Sequence, residues 1–293
     1  MTVWITGSRG MLGTEAMAAF RDAGADCEGT DAELDITDMA AMLAFAKGRR
    51  IEWMVNCAAY TAVDGSEREK DLAFRVNGSG ASNAAAVANR IGAGFIHIST
   101  DYVFDGKSPR PYREDDPTGP LSAYGRSKLE GERMTLAAKS DSIIIRTSWL
   151  FGKEGQNFAR TMLRLFRERD EIRVVDDQRG CPTYAKDLAA AIAQISLRPG
   201  ADPREGIYHF CNSGETTWYG FAKAILEDAQ ELGIVKREVR IVPITTAEYP
   251  AEARRPMFST LDCAKIARDF GVMQRPWREA LRDCLARMKE AGI

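Results

Sequence analysis

The sequence predicts an α/β protein built on a doubly wound parallel sheet, with a smaller C-terminal part. Three observations predict it. Over residues 1–150, short apolar runs lack the polar alternation of a half-exposed strand, as suits a sheet covered on both faces. Those runs alternate with longer helical patterns, the signature of strand–helix–strand units. Between the first strand and the first helix stand three evenly spaced glycines, Gly7, Gly10 and Gly13.

The elements read in order as follows. Residues 3–5 form a buried strand and 11–23 a helix ended by Gly24; a second strand lies near 26–29. Residues 53–58 form a strand, and 66–91 read as one long Ala-rich helix. Then come a strand at 95–98, a helix at 125–139 and a strand at 143–145, with Trp149 read as the end of that strand. The regularity then weakens. Residues 157–169 read as a helix, 172–176 as a strand and 185–197 as a helix. Residues 197–206, with two Pro and two Gly, form the best linker. Beyond it come a strand at 207–210, a helix at 217–232 ended by Gly233, a strand at 239–244 and a closing helix at 276–291. The predicted division is 1–150 as a dinucleotide-binding part and 151–293 mainly as a second part, with 172–200 returning to the first.

Composition narrows the function classes. Apolar residues at 45% and charged residues at 28% suit a globular chain and exclude gross disorder. A net charge of -2 gathers neither nucleic acid nor an anionic membrane. No apolar run approaches the length of a membrane span. The first residues read as a strand, not a signal peptide, so the expected location is cytoplasmic. The six Cys are scattered without a Cys-x-x-Cys, which points to neither a disulfide framework nor a structural zinc. The two His, His97 and His209, stand alone in β-like runs and read as structural. Catalysis is left to Tyr, Lys, Ser/Thr, carboxylates or a cofactor, and no metal is expected.

The glycine spacing carries the first chemical reading. Gly7, Arg9, Gly10, Met11, Leu12 and Gly13 lie in a turn from strand to helix. Such glycines allow a tight bend and close backbone approach to a pyrophosphate, which the free N–H groups of the helix start favour. This makes the fold Rossmann-like and the ligand a nicotinamide dinucleotide, NADPH or NADH. Asp31, after the second strand, can accept from the adenosine ribose hydroxyls, which favours NAD. Arg9 can face a 2′-phosphate, which favours NADP. The two signals conflict.

Tyr124 and Lys128 form a Tyr-x-x-x-Lys, four residues apart on one helix face. A tyrosine hydroxyl titrates near pH 10, and a neighbouring ammonium is expected to lower that value. Lys128 can also hold the nicotinamide ribose. Thr100, at the carboxyl end of its strand, is the natural hydroxyl to hold a substrate oxygen. Tyr219 and Lys223 repeat the spacing; they read as core and surface of a later helix, with no strand-end hydroxyl before them.

These residues resemble the extended short-chain dehydrogenase/reductase family. Further stretches resemble its branch acting on dTDP-keto sugars: residues 57–64 (CAAYTAVD), 99–106 (STDYVFDG), 146–152 (RTSWLFG), 177–183 (DQRGCPT), Thr217-Trp218 and 254–259 (RRPMFS). The resemblance covers nearly the whole chain. It implies reduction of the 4-keto group of dTDP-4-dehydro-L-rhamnose to dTDP-L-rhamnose with NADPH or NADH. It puts Gly10, Met11 and Leu12 at the pyrophosphate, Asp35 and Ile36 by the adenine, and Ala59, Tyr60 and Thr61 on the nicotinamide side. Thr100, Tyr124 and Lys128 fall on catalytic positions. Val63, Thr100, Asp101, Tyr102 and Trp149 fall on sugar-nucleotide positions, and residues 151–293 become mainly a sugar-nucleotide part.

Several residues keep two readings. Trp149 packs a hexose or is core. Asn157 meets the nucleotide or caps the next helix. Arg255 pairs a substrate pyrophosphate or is solvated. Gln178 bridges cofactor and sugar or does neither. Some family members dimerise through carboxylates around a metal; Glu15 is present, but Lys186-Asp187 stands where further acids would help. The chain is read as a monomer or homodimer without that metal. Two alternatives stay open. One is an epimerising reductase like GDP-fucose synthase, with Cys181 and His209 as acid–base groups. The other is a regulatory subunit that binds dinucleotide without turnover.

Overall fold

The computed structural model describes residues 1–198 and 204–293. The strands are β1 (Thr2–Thr6), β2 (Asp26–Thr30), β3 (Trp53–Asn56), β4 (Gly94–Thr100), β5 (Ile143–Thr147), β6 (Leu150–Phe151), β7 (Glu171–Val175), β8 (Arg179–Gly180), β9 (Thr183–Tyr184), β10 (Gly206–His209), β11 (Thr216–Thr217) and β12 (Arg240–Ile244). The α-helices are α1 (Met11–Asp22), α2 (Met39–Ala46), α3 (Gly65–Arg68), α4 (Lys70–Phe74), α5 (Ala81–Ile91), α6 (Ala123–Ala138), α7 (Phe158–Glu168), α8 (Ala185–Ser196), α9 (Trp218–Glu231), α10 (Ala264–Phe270) and α11 (Trp277–Glu290). None of the described helices is long and apolar enough to cross a membrane.

Six strands make one parallel sheet in the order β10-β5-β4-β3-β1-β2. From β1 the chain goes to one side for β2 and to the other for β3. A ligand crevice belongs outside the strand ends at that switch point. Every residue of β5 is buried, and its three isoleucines suit a strand covered on both faces. On one face Leu12, Ala16 and Phe20 of α1 share a core with Leu188 and Ile192 of α8. On the other, Trp4, Met54 and Phe95 pack with Met42 of α2 and the alanines of α5. A further core, with Phe151, Leu163, Phe166, Phe221, Ile225, Leu281 and Leu285, lies among α7, α9 and α11. Each such side chain contributes roughly 1.5–3 kcal/mol by burial.

Residues 66–91 do not form one helix. Glu69, at φ -110° and ψ 48°, separates α3 from α4. A π-helical stretch over Arg75–Gly80 then precedes α5. The wider turn has a use: Asn77 Oδ1 accepts from the Tyr60 amide at 2.9 Å. Asn77 Nδ2 donates to the Tyr60 carbonyl at 3.0 Å and to Ser127 Oγ at 2.9 Å. Helical bulges of this kind often mark functional sites.

The return to the sheet also differs from expectation. β7 pairs with β12, not with the main sheet. Its burial alternates at first, as in a strand with one face exposed. Helix α8 does return, against α1, and β10 completes the sheet beside β5. Residues 199–203 of the expected linker lie outside the described residues. Glu15 is buried, and its Oε1 accepts from Arg287 at 2.9 Å. That carboxylate is therefore satisfied within the chain, where it joins α1 to α11. Lys186 and Arg275 both pair with Asp283.

Candidate active site

A cleft of about 900 Å³ opens at the carboxyl ends of β1, β3, β4 and β5. It runs from the glycine turn to Trp149. Gly7 has φ +68°, and a Cβ there would lie 2.7 Å from the Ala58 amide nitrogen. A Cβ on Gly13 would lie 2.1 Å from the Gly7 carbonyl oxygen. No side chain caps α1 at Gly10, so its first amides are free for an anion. The bend, the close backbone approach and the free helix start fit a dinucleotide pyrophosphate. Met11 and Leu12 line the same end of the cleft, and Asp35 and Ile36 line its side beside Leu34.

The two conflicting cofactor signals meet in space. The Arg9 amide donates to Asp31 Oδ2 at 2.8 Å. The Arg9 guanidinium pairs with Glu33 Oε2 at 2.6 Å and lies 3.7 Å from Asp31 Oδ1. Glu33, two residues after Asp31, was not anticipated from the sequence. A ribose hydroxyl would address Asp31, whereas a 2′-phosphate would compete with Glu33 for Arg9.

The middle of the cleft holds Thr100, Tyr124 and Lys128. Helix α6 presents the last two because Ser122 caps it, its Oγ accepting from the Gly125 amide at 3.1 Å. Lys128 is buried, and its Nζ donates to the Ile98 carbonyl at 2.6 Å. Burial pulls its pKa down to about 8, against the charges of Glu132 and Cys57. The tyrosine differs from expectation. Burial pushes Tyr124 up to about 12, with the Asp101 charge adding to the rise and a hydrogen bond with Thr100 opposing it. Its phenol therefore stays protonated at neutral pH, as a proton donor to a ketone must. Thr100 Oγ1 donates to Asp101 Oδ1 at 3.0 Å and accepts from the Tyr102 amide at 3.2 Å. A substrate oxygen would have to draw the Thr100 proton away from Asp101. Burial raises Asp101 to about 6, opposed by hydrogen bonds from Ser259 and Thr100.

Beneath this row lies an ion pair that spacing did not disclose. Arg146 of β5 donates through Nε to Glu132 Oε1 at 2.9 Å and through Nη2 to Oε2 at 2.7 Å. Both side chains are only 2% exposed. Ser99 Oγ donates to Glu132 Oε1 at 2.5 Å. Ser99 stands between Ile98, which anchors Lys128, and Thr100, so the pair braces the strand that carries both. The signal existed in the sequence: Glu132 is the next member of the Tyr124, Lys128 face of α6.

Ala59, Thr61, Val63, Asp101 and Tyr102 line the cleft, as does Trp149. Trp149 does not end a strand. It follows β5 and, among the described residues, is the one non-glycine with positive φ, +47°. That conformation costs roughly 1–2 kcal/mol for an L-residue. Its ring stacks on Trp218 at 3.6 Å and 6°. Tyr60 does not line the cleft; its hydroxyl donates to Glu69 Oε2 at 2.5 Å, and only its backbone is held at the site, by Asn77. Asn157 caps α7, accepting from the Arg160 amide at 3.2 Å and donating to the Gly152 carbonyl at 2.8 Å. Those bonds occupy both ends of its amide. Arg255 also stands off the cleft wall; it makes a two-point pair with Asp64, at 2.8 and 3.3 Å. Gln178 is buried between Trp218 and Thr246, at 3.2 and 3.0 Å. Cys181 and His209 are buried away from the cleft lining. Tyr219 and Lys223 lie on α9, with the ammonium 5.8 Å over the ring.

A glycine turn at the switch point of a parallel sheet, facing a Tyr/Lys pair, defines a Rossmann-type dinucleotide-binding protein. The chain belongs to the family described as the RmlD substrate binding domain, whose model matches residues 1–290. It is 43% identical over 290 residues to the spore coat polysaccharide biosynthesis protein SpsK of Bacillus subtilis, covering 99% of this chain and 98% of that protein. It is 47% identical over 233 residues to dTDP-4-dehydrorhamnose reductase of Sinorhizobium fredii, covering 78% of each chain. The crystal structure of dTDP-4-dehydrorhamnose reductase from Bacillus anthracis in complex with NADP is similar with a TM-score of 0.90 and 38% identity, covering 98% of this chain and 99% of that one.

Proposed function

We propose that this protein is an NAD(P)H-dependent reductase that converts the 4-keto group of dTDP-4-dehydro-L-rhamnose to the alcohol of dTDP-L-rhamnose. The observation that carries the reading is one continuous cleft bordered by the glycine turn, by Thr100, Tyr124 and Lys128, and by Trp149. A bound reduced nicotinamide supplies the hydride. Gly10, Met11 and Leu12 hold its pyrophosphate, and Lys128 its ribose. Tyr124, protonated at neutral pH, gives its phenolic proton to the carbonyl oxygen as charge builds there. Thr100 holds that oxygen by turning its own proton from Asp101 towards it, which stabilises the developing negative charge. Val63, Asp101, Tyr102 and Trp149 shape the sugar end. In this division of labour residues 1–150, with the returning α8 and β10, hold the dinucleotide, and most of the later chain holds the sugar nucleotide. The expected setting is the cytoplasm.

The test is an assay with NADPH or NADH and enzymatically made dTDP-4-dehydro-L-rhamnose, read as loss of reduced-nicotinamide absorbance. Oxidation with dTDP-rhamnose as product is the expected result and ranks the two cofactors. Intact cofactor binding without oxidation would reject this substrate. Deuterium from solvent at ring carbons beside the keto group would turn the reading towards an epimerase.

A further inference from the structure

We propose that Trp218, Gly180 and Gln178 form a positioning clamp that holds the Trp149 indole as a preformed wall for the sugar ring. This deepens the function proposed above and rests on it for the identity of the ligand. The starting observation is the backbone of Trp149, a bulky residue at φ +47° on the cleft wall. Such a conformation persists only where the surroundings over-determine it, and it concentrates at ligand sites.

The surroundings here come from three directions. Trp218 covers one face of the indole at 3.6 Å, nearly parallel. Gly180 lies against the ring edge, where a Cβ would come within 2.6 Å of Trp149 Cε2. The Trp149 carbonyl accepts from the Thr183 amide at 3.2 Å. Trp218 is fixed in turn. Its Nε1 donates to Gln178 Oε1 at 3.2 Å, and Phe158 packs on it with ring centres 4.7 Å apart. Gln178 is tied at its other end, Nε2 donating to Thr246 Oγ1 at 3.0 Å. Trp218, Gly180 and Gln178 do not themselves line the cleft; they act through Trp149. What the wall recognises is the apolar C–H face of a hexose ring. Contact with that face is much the same before and during hydride transfer, so the clamp governs substrate binding more than the chemical step.

Two readouts separate this clamp from the function it serves. In ligand-free protein, stacked indoles give an exciton couplet in far-ultraviolet circular dichroism. Gly180→Ala keeps both indoles and should abolish the couplet by displacing Trp149. In the assay with NADPH and dTDP-4-dehydro-L-rhamnose, Trp218→Ala should raise KM about tenfold while kcat stays within about twofold. Trp149→Ala should do the same, and the double variant should be no worse than Trp149→Ala alone, because the residues act as one unit. NADPH affinity is the control for folding; should Trp218→Ala fail to fold, Trp218→Phe carries the KM test with a smaller increase. A couplet that survives Gly180→Ala, or two substitutions whose KM effects multiply, would overturn the clamp. Wild-type protein that does not turn over the sugar nucleotide would sink the proposed function, and the couplet would still decide the clamp.

Discussion

At the dinucleotide end the cleft is shaped by backbone: the left-handed Gly7, the crowded Gly13 and the uncapped start of α1, all within residues 7–13. At the Trp149 end it is shaped by side chains that meet across long stretches of chain, as Trp149 does on Trp218. A backbone cradle works for any ligand with the same phosphates. A side-chain wall can be exchanged residue by residue. Under the proposed function, the difference teaches where specificity would be stored: general anion binding in the local turn, recognition of a particular sugar in contacts that only the folded chain creates.

Substitutions can break or sharpen that contrast. The largest effect is expected at the junction of the two ends. Tyr124→Phe should lower kcat by roughly 10²–10⁴, the usual worth of a positioned proton donor, with little change in NADPH affinity by fluorescence titration. Full turnover in that variant would remove Tyr124 from the mechanism. Next comes Glu132→Ala, which leaves the Arg146 charge buried and alone. Denaturant unfolding should show a loss of about 3–5 kcal/mol. If stability holds, the brace beneath Ser99 is not what aligns the two ends.

A smaller effect, of opposite sign, is expected at Asp101. Its carboxyl, raised by burial to about 6, is costly to keep ionised. The group favours folding only while protonated, so its cost grows as pH rises from about 4 to 6 and is complete above 6. Asp101→Asn should therefore raise Tm at pH 7.5, by an amount equivalent to about 1–3 kcal/mol, while impairing turnover. The gain should fade below pH 6, and a gain that does not fade would refute the assignment. The smallest effect concerns the cofactor end alone. Glu33→Gln frees the Arg9 guanidinium and should shift the ratio of kcat/KM for NADPH over NADH upward by a few-fold. An unchanged ratio would mean that Arg9 does not meet the 2′ position.

Legibility followed the same contrast. The parallel sheet, the glycine turn and the Tyr124/Lys128 face were visible because each depends on spacing within a few turns of chain. The break in residues 66–91 was hidden, because what rewards the π-helical stretch is Asn77 reaching the backbone of Tyr60, a tertiary contact. Pairing of β7 with β12 rather than with the main sheet was hidden for the same reason. Spacing put Glu132 on the Tyr124/Lys128 face of α6, but its partner Arg146 comes from a strand, so the pair itself was hidden. Asn157 kept two readings in the sequence, and the structure shows the helix cap, a contact local enough to be legible there.

The outermost place beside β5 is filled by β10, which arrives about 60 residues later in the chain. During synthesis, at 5–20 residues per second, that is a wait of roughly 3–12 s. Through that interval the isoleucine strand 143–145 has a free edge, open to pairing with another nascent chain. The enzyme's yield in a cell should then depend on translation speed through residues 148–209 and on whether a chaperone covers that edge first.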